Sequence, residues 1–141
     1  MKSIQIPPKA YANEEYFKLY ISDVGLLASW LEIQYNDILL DNSFLYKGSI
    51  AENYVASQFV RNGISLYYWK SNSDAEIDFI LYNQDGLIPI EVKASNNITS
   101  KSLNSYIKKY NPKYSIRISS KNFGFENNIK SVPLYAVFLI K

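Results

Sequence analysis

The residues best suited to chemistry lie in one short stretch: Ala75-Glu76-Ile77-Asp78-Phe79-Ile80-Leu81, then Asn83-Gln84-Asp85-Gly86, then Ile88-Pro89-Ile90-Glu91-Val92-Lys93. It reads as two strands joined by a tight turn, with Asp78 on the first and Glu91-x-Lys93 on the second. Side chains two apart on a strand share a face, so Glu91 and Lys93 point one way and Ile88, Ile90 and Val92 the other. Two registers are open. A two-residue turn at Asp85-Gly86 sets Asp78 opposite Lys93, with Glu91 one diagonal step away. A four-residue reversal over Asn83 to Gly86 sets Asp78 opposite Glu91. Either register brings Asp78, Glu91 and Lys93 onto one face, within about 4.5–8 Å of each other at Cβ. A one-residue slip would turn Ile77, Phe79 and Leu81 away from the apolar side they share with Ile88, Ile90 and Val92.

Neighbouring carboxylates raise each other's pKa unless something positive sits between them. Lys93 can do this, and so can a divalent cation. Two carboxylates with positions left for water suit magnesium or manganese. The metal would polarise a phosphoryl oxygen and acidify a water, while the lysine orients that water or stabilises developing charge. Composition narrows the chemistry further. The 141 residues include no histidine and no cysteine, which excludes a Ser-His-Asp triad, a Cys-His pair and zinc sites built on either residue. Hydrolysis here must run on carboxylates, lysines and an oxygen-ligated metal.

Length fits one domain with a single core. The chain is 48% hydrophobic with 13 tyrosines, which argues against disorder. It has no apolar run long enough for a membrane helix and no signal-peptide core at its start. Absence of cysteine fits a reducing cytoplasm. Charge is uneven. Residues 1–93 carry seven Lys/Arg against twelve Asp/Glu, and residues 94–141 carry eight against one. Lys101, Lys108, Lys109 and Lys113 therefore read either as a phosphate-tracking surface beside an acidic site or as the solvated side of one helix and its exit.

The elements that must position these groups follow from periodicity and punctuation. Residues 1–15 read as an arm or linker and 16–141 as one domain. Phe17 to Ile21 reads as a short strand and Val24 to Leu31 as a helix capped by Asp23. Tyr35 to Lys47 reads as a helix-loop turning Ile38, Leu39, Phe44 and Leu45 inward. Ser49 to Asn62 is the clearest helix, with Ser49 as cap, Glu52 completing a capping box and Gly63 as terminator. Strands follow at Leu66–Lys70, Ala75–Tyr82 and Leu87–Ala94, then a helix at Ser100–Tyr110. Further strands are expected at Tyr114–Ser119 and Val132–Ile140. The expected class is α/β, an α+β arrangement on a mixed sheet. Glu52 has two readings that can both hold: a helix-start carboxylate, or a fourth site residue leaning over the sheet, since Val55, Ala56 and Phe59 must face it. Glu76 is a supporting charge, and Tyr67, Tyr68 and Trp69 read as core or rim packing. Asn104, Lys101 and Lys108 could contact substrate.

Asp, a spacer and Glu-x-Lys across two strands resemble the PD-(D/E)xK nuclease superfamily, whose core is a helix, three strands, a helix and a strand. A closer resemblance spans nearly the whole chain. Phe17-Lys18-Leu19-Tyr20-Ile21-Ser22-Asp23-Val24-Gly25-Leu26-Leu27, Gly48-Ser49-Ile50-Ala51-Glu52-Asn53-Tyr54-Val55, Tyr67-Tyr68-Trp69-Lys70, Ala75-Glu76-Ile77-Asp78-Phe79 and Pro89-Ile90-Glu91-Val92-Lys93 follow in order. Together they resemble the uncharacterised C-terminal domain behind the ATPase module of many bacterial and archaeal AAA-type ATPases, a domain generally placed among PD-(D/E)xK folds. Asp74 departs from that pattern, standing where a small residue is expected. The resemblance implies that Asp78, Glu91 and Lys93 match metal and catalytic positions and that Glu52 matches the acidic residue of the first core helix. It implies a magnesium or manganese cofactor, nucleic acid as substrate and an AAA-type ATPase module in the same protein. Two functions follow as expectations: a metal-dependent nuclease acting on DNA or RNA, or a non-catalytic nucleic-acid-binding or regulatory domain serving that ATPase.

Overall fold

In the computed structural model of the chain, residues 5–13, 15–40, 45–72, 75–94 and 100–141 are described. The alternating apolar stretches form seven strands among these residues. β1 (Trp69–Lys70) and β2 (Glu76–Ile77) make a small antiparallel ribbon. β3 (Phe79–Asn83), β4 (Gly86–Lys93), β5 (Ser115–Ser119), β6 (Gly124–Glu126) and β7 (Ile129–Pro133) make a mixed sheet in the order β3-β4-β5-β7-β6. β4 runs parallel to β5, and β5 to β7; the other two pairings are antiparallel. The fold is therefore a mixed α/β arrangement.

A parallel step from β4 to β5 needs a crossover, and the helix Lys101–Tyr110 provides it. The preceding helices are α1 (Val24–Trp30), α2 (Tyr35–Leu39) and α3 (Lys47–Arg61), which makes the crossover helix α4. Each sheet face receives one of the longer helices. Val55, Ala56 and Phe59 of α3 pack against Phe79, Leu81, Ile88, Ile90, Ile116 and Ile118. Leu103 and Tyr106 of α4 pack against Trp69, Ile77 and Ile80. Phe59 meets Phe79 edge-on at 5.3 Å, as Trp69 meets Tyr106. Each large apolar side chain buried this way contributes roughly 1.5–3 kcal/mol, and the two layers fix the sheet from both sides. Pro89 fits within an inner strand because pairing with β5 begins only at Ile90, so the N–H that proline lacks has no ladder to serve.

Local signals explain the element ends. Asp23 accepts the Leu26 N–H and Ser100 accepts the Leu103 N–H, each a side-chain N-cap. Gly63 has φ of 72°. Its N–H bonds Val60 and the next N–H, from Ile64, bonds Phe59, which closes α3 in a left-handed C-cap.

Several sequence expectations need correction. Helix α3 starts at Lys47 with no side-chain cap, so Ser49 lies inside it and Glu52 belongs to no capping box. Phe17 to Ile21 is no strand. Instead the Asn53 side chain accepts the Ile21 N–H and donates to the Ile21 carbonyl, both at 2.8 Å. A buried amide thus stands in for a neighbouring strand. Regular pairing in the predicted strand Leu66–Lys70 begins only at Trp69, and the predicted strand Ala75–Tyr82 divides between β2 and β3. Val132–Ile140 divides too: β7 ends at Pro133 and Leu134–Leu139 is a 3-10 helix. Ile38 and Leu45 are exposed rather than inward; the Leu39 side chain, Phe44 and Asp74 lie outside the described residues. Among the described residues no helix is long and apolar enough to cross a membrane.

Candidate functional site

The β3–β4 hairpin settles its register with Asn83 opposite Gly86 and Phe79 opposite Ile90. That is the register in which Asp78 faces Glu91. Asp78 itself sits in the break between β2 and β3. Trp69 pairs with Ile77, so an unbroken ladder would set Tyr67 against Phe79. The Tyr67 carbonyl instead takes the Ile80 N–H at 2.7 Å. One extra residue is absorbed there as a bulge, which bends the strand and re-aims a side chain. Ile77 consequently joins the core under α4 and Phe79 the core under α3, correcting the expectation that both share a face.

The bulge turns the Asp78 carboxylate to the Val92 N–H, which it accepts at 2.7 Å. Burial pushes the Asp78 pKa up, to about 6 from 3.8; the Val92 bond and Lys18 pull it down, while Glu52 and Glu91 push it up. Glu91 is buried, with 4% of its side chain exposed, and its Oε1 lies 3.1 Å from Lys93 Nζ. Its Oε2 is buried and has no hydrogen-bond partner among the described residues.

Glu52 reaches this group from α3. Its Oε1 accepts from Lys18 Nζ at 2.9 Å and from the Tyr20 hydroxyl at 2.6 Å. Lys18 also pairs with Glu76 at 2.5 Å. Burial works against the Lys18 ammonium, but the bonds to Glu76 and Glu52 outweigh it and raise its pKa. Burial and the Glu52 bond hold the Tyr20 hydroxyl protonated far above its ordinary value. Lys18 and Tyr20 were not anticipated as site residues. The signal was present as alternation: Phe17 and Leu19 are exposed while Lys18 and Tyr20 turn inward. A cleft of about 220 Å³ opens above them, with Lys18, Tyr20, Tyr67, Tyr68, Asp78 and Phe79 among its walls.

The basic residues distribute differently. Lys101, Lys108 and Lys109 are exposed on α4. Lys101 opens the helix at the end where the Glu76 N–H bonds Ser102. Lys109 lies over the Trp69 and Tyr110 rings at 5.9 and 5.2 Å. Lys113 pairs with Asp85 at 2.5 Å, at the turn end of the hairpin. Five residues of strand separate that turn from Asp78, roughly 17 Å. Lys113 is thus not beside the carboxylates. Asn104 is exposed on α4.

Among the described residues no three carboxylates stand together as a ready-made metal cage. A smaller site fits better. Glu91 is buried with one unpartnered oxygen and Asp78 is half-buried in the register that faces it, and magnesium needs only one or two carboxylates when water completes its shell.

Residues 47–137 match the family model described as Domain of unknown function (DUF4143). That span is more than half the chain, and the chain belongs to this family, which is known in AAA-ATPase-associated proteins. No curated protein and no solved structure matches it.

Proposed function

We propose that this DUF4143 domain is a metal-dependent phosphodiesterase acting on nucleic acid, with a PD-(D/E)xK-like core. The observation that carries the reading is the buried Glu91, one oxygen on Lys93 and the other unpartnered, beside an Asp78 aimed by a strand bulge. In this reading Asp78 and Glu91 hold magnesium or manganese, and Glu52 stands behind them. The metal would supply a polarised phosphoryl oxygen and an acidified water. Lys93 then stabilises charge developing on the phosphate, its ammonium already fixed by Glu91. Exposed Lys101 and Lys108 offer non-specific phosphate contacts whose strength falls steeply with salt.

The test is cleavage of single- and double-stranded DNA and RNA with magnesium or manganese, stopped by chelation. Asp78→Ala abolishes cleavage, while Lys93→Ala keeps metal binding and slows the chemical step. Cleavage unaffected by Asp78→Ala refutes the site.

A second reading, a non-catalytic domain docking to an AAA-type ATPase module of the same protein, draws on a different observation. Phe17, Leu19, Leu26, Trp30, Leu40 and Leu45 are all exposed, and exposed large apolar side chains, where they adjoin, suit a docking surface. Salt-sensitive binding without metal-dependent cleavage, or neither activity, favours that reading.

A further inference from the structure

The carboxylates of this site already hold a cation. Lys18 bridges Glu52 and Glu76, and it comes from a segment that precedes the family match by almost thirty residues. Its placement is built rather than incidental. Asn53 clamps the Ile21 backbone from both sides, the Tyr20 ring packs 5.8 Å from Phe79, and the Tyr20 hydroxyl fixes the same Glu52 oxygen that Lys18 holds. The Lys18 ammonium also lies 5.2 Å from the centre of the Tyr68 ring. Charge does not balance, however. Glu52, Glu76, Asp78 and Glu91 face Lys18 and Lys93, and one oxygen of the buried Glu91 remains unpartnered. When every carboxylate is ionised, the deficit matches a divalent cation.

We propose that Lys18 is the resident counter-ion of this cluster and competes with a divalent metal for it, an inference that rests on Asp78 and Glu91 being the metal-holding pair. With Lys18 seated, Glu52 is committed to an ammonium and a hydroxyl, and a metal must bind beside an existing positive charge. With Lys18 withdrawn, Glu52 is released toward Asp78 and Glu91 and the local field becomes more negative. Lys18 is therefore a positioning residue that sets how tightly the site takes metal.

The experiment titrates manganese alone into the full chain by calorimetry, and follows thermal melting in chelator and in manganese. Lys18→Met should bind manganese at least about tenfold more tightly than wild type, since unit charges a few ångströms apart couple strongly at a half-buried site. The same variant should melt lower in chelator and gain more from manganese than wild type gains. Lys18→Arg keeps the charge and should bind manganese no more tightly than wild type. If Lys18→Met fails to fold, Lys18→Gln keeps a donor for one carboxylate and should show the same tightening. Manganese binding that Asp78→Ala removes and Lys18→Met leaves unchanged overturns the competition and keeps the metal pair. No manganese binding by wild type or any folded Lys18 variant overturns both.

Discussion

Asp78→Asn, studied in chelator so that no metal intervenes, tests the electrostatics of the site without any assay of function. In the folded protein the Asp78 pKa stands at about 6 against an ordinary 3.8. Between about pH 4 and 6 the native state holds a proton that the unfolded chain has released, so stability falls as pH rises through that window. Below it both states are protonated and no penalty exists. Above it both are ionised and the whole penalty applies, roughly 3 kcal/mol for a difference of this size. Asparagine keeps a carbonyl oxygen for the Val92 N–H and carries no charge. The variant should therefore be more stable than wild type by about 1–3 kcal/mol near neutral pH, or several degrees in melting temperature. That advantage should shrink toward about pH 4. Urea titrations of both proteins at stepped pH give the comparison directly. An advantage independent of pH, or an asparagine variant destabilised equally at every pH, would show that the folded protein does not raise the Asp78 carboxyl above its ordinary value.

Two further substitutions test the scaffold. Asn53→Ala removes both bonds to Ile21 and should cost about 1–3 kcal/mol. Limited proteolysis should then cut near residues 17–21 faster than in wild type, and unchanged cleavage would mean that the clamp is dispensable. Gly63→Ala meets no neighbouring atom within 4 Å, yet must adopt φ of 72°, so it should lose about 1 kcal/mol through backbone conformation alone. A neutral result by chemical denaturation would contradict the left-handed cap.

How far the sequence could be read depended on how local each determinant was. The β3–β4 pairing was legible because alternation on both strands and the turn residues Asn83 to Gly86 constrain one another within a few positions. The cap at Asp23 and the terminator at Gly63 were legible for the same reason, whereas Ser100, expected inside the fourth helix, is its cap. The bulge at Asp78 was not, since an extra residue in a ladder shows only once Tyr67 and Ile80 are seen to pair. Ser49 and Glu52 match a capping box in spacing, but the helix already runs from Lys47, so both lie inside it. The apolar stretch from Val132 onward suits a strand by composition. Only Val132 and Pro133 join β7; from Leu134 the chain turns into a 3-10 helix that places Ala136 and Val137 in the core. Glu52, Asp78, Glu91 and Lys93 were named from the sequence, and the structure draws them into one charged group. Lys18 and Tyr20 escaped notice because their partner Glu52 lies 34 and 32 positions away, beyond the reach of local pattern.

The span matched by the family model and the span tied together by hydrogen bonds do not share borders in this chain. The family match runs from 47 to 137. At one end, Lys18, Tyr20 and Ile21 lie outside it while answering Glu52, Glu76 and Asn53 within. At the other, the Asn62 side chain at the end of α3 donates to the carbonyls of Phe138 and Ile140, both past the border. A piece trimmed to the matched span would keep the sheet and both covering helices, yet face water with an unanswered acidic cluster and an untied helix end. The matched span is thus smaller than the set of residues that complete its contacts, and the missing margin lies in flanks that bond to residues toward the two ends of one helix.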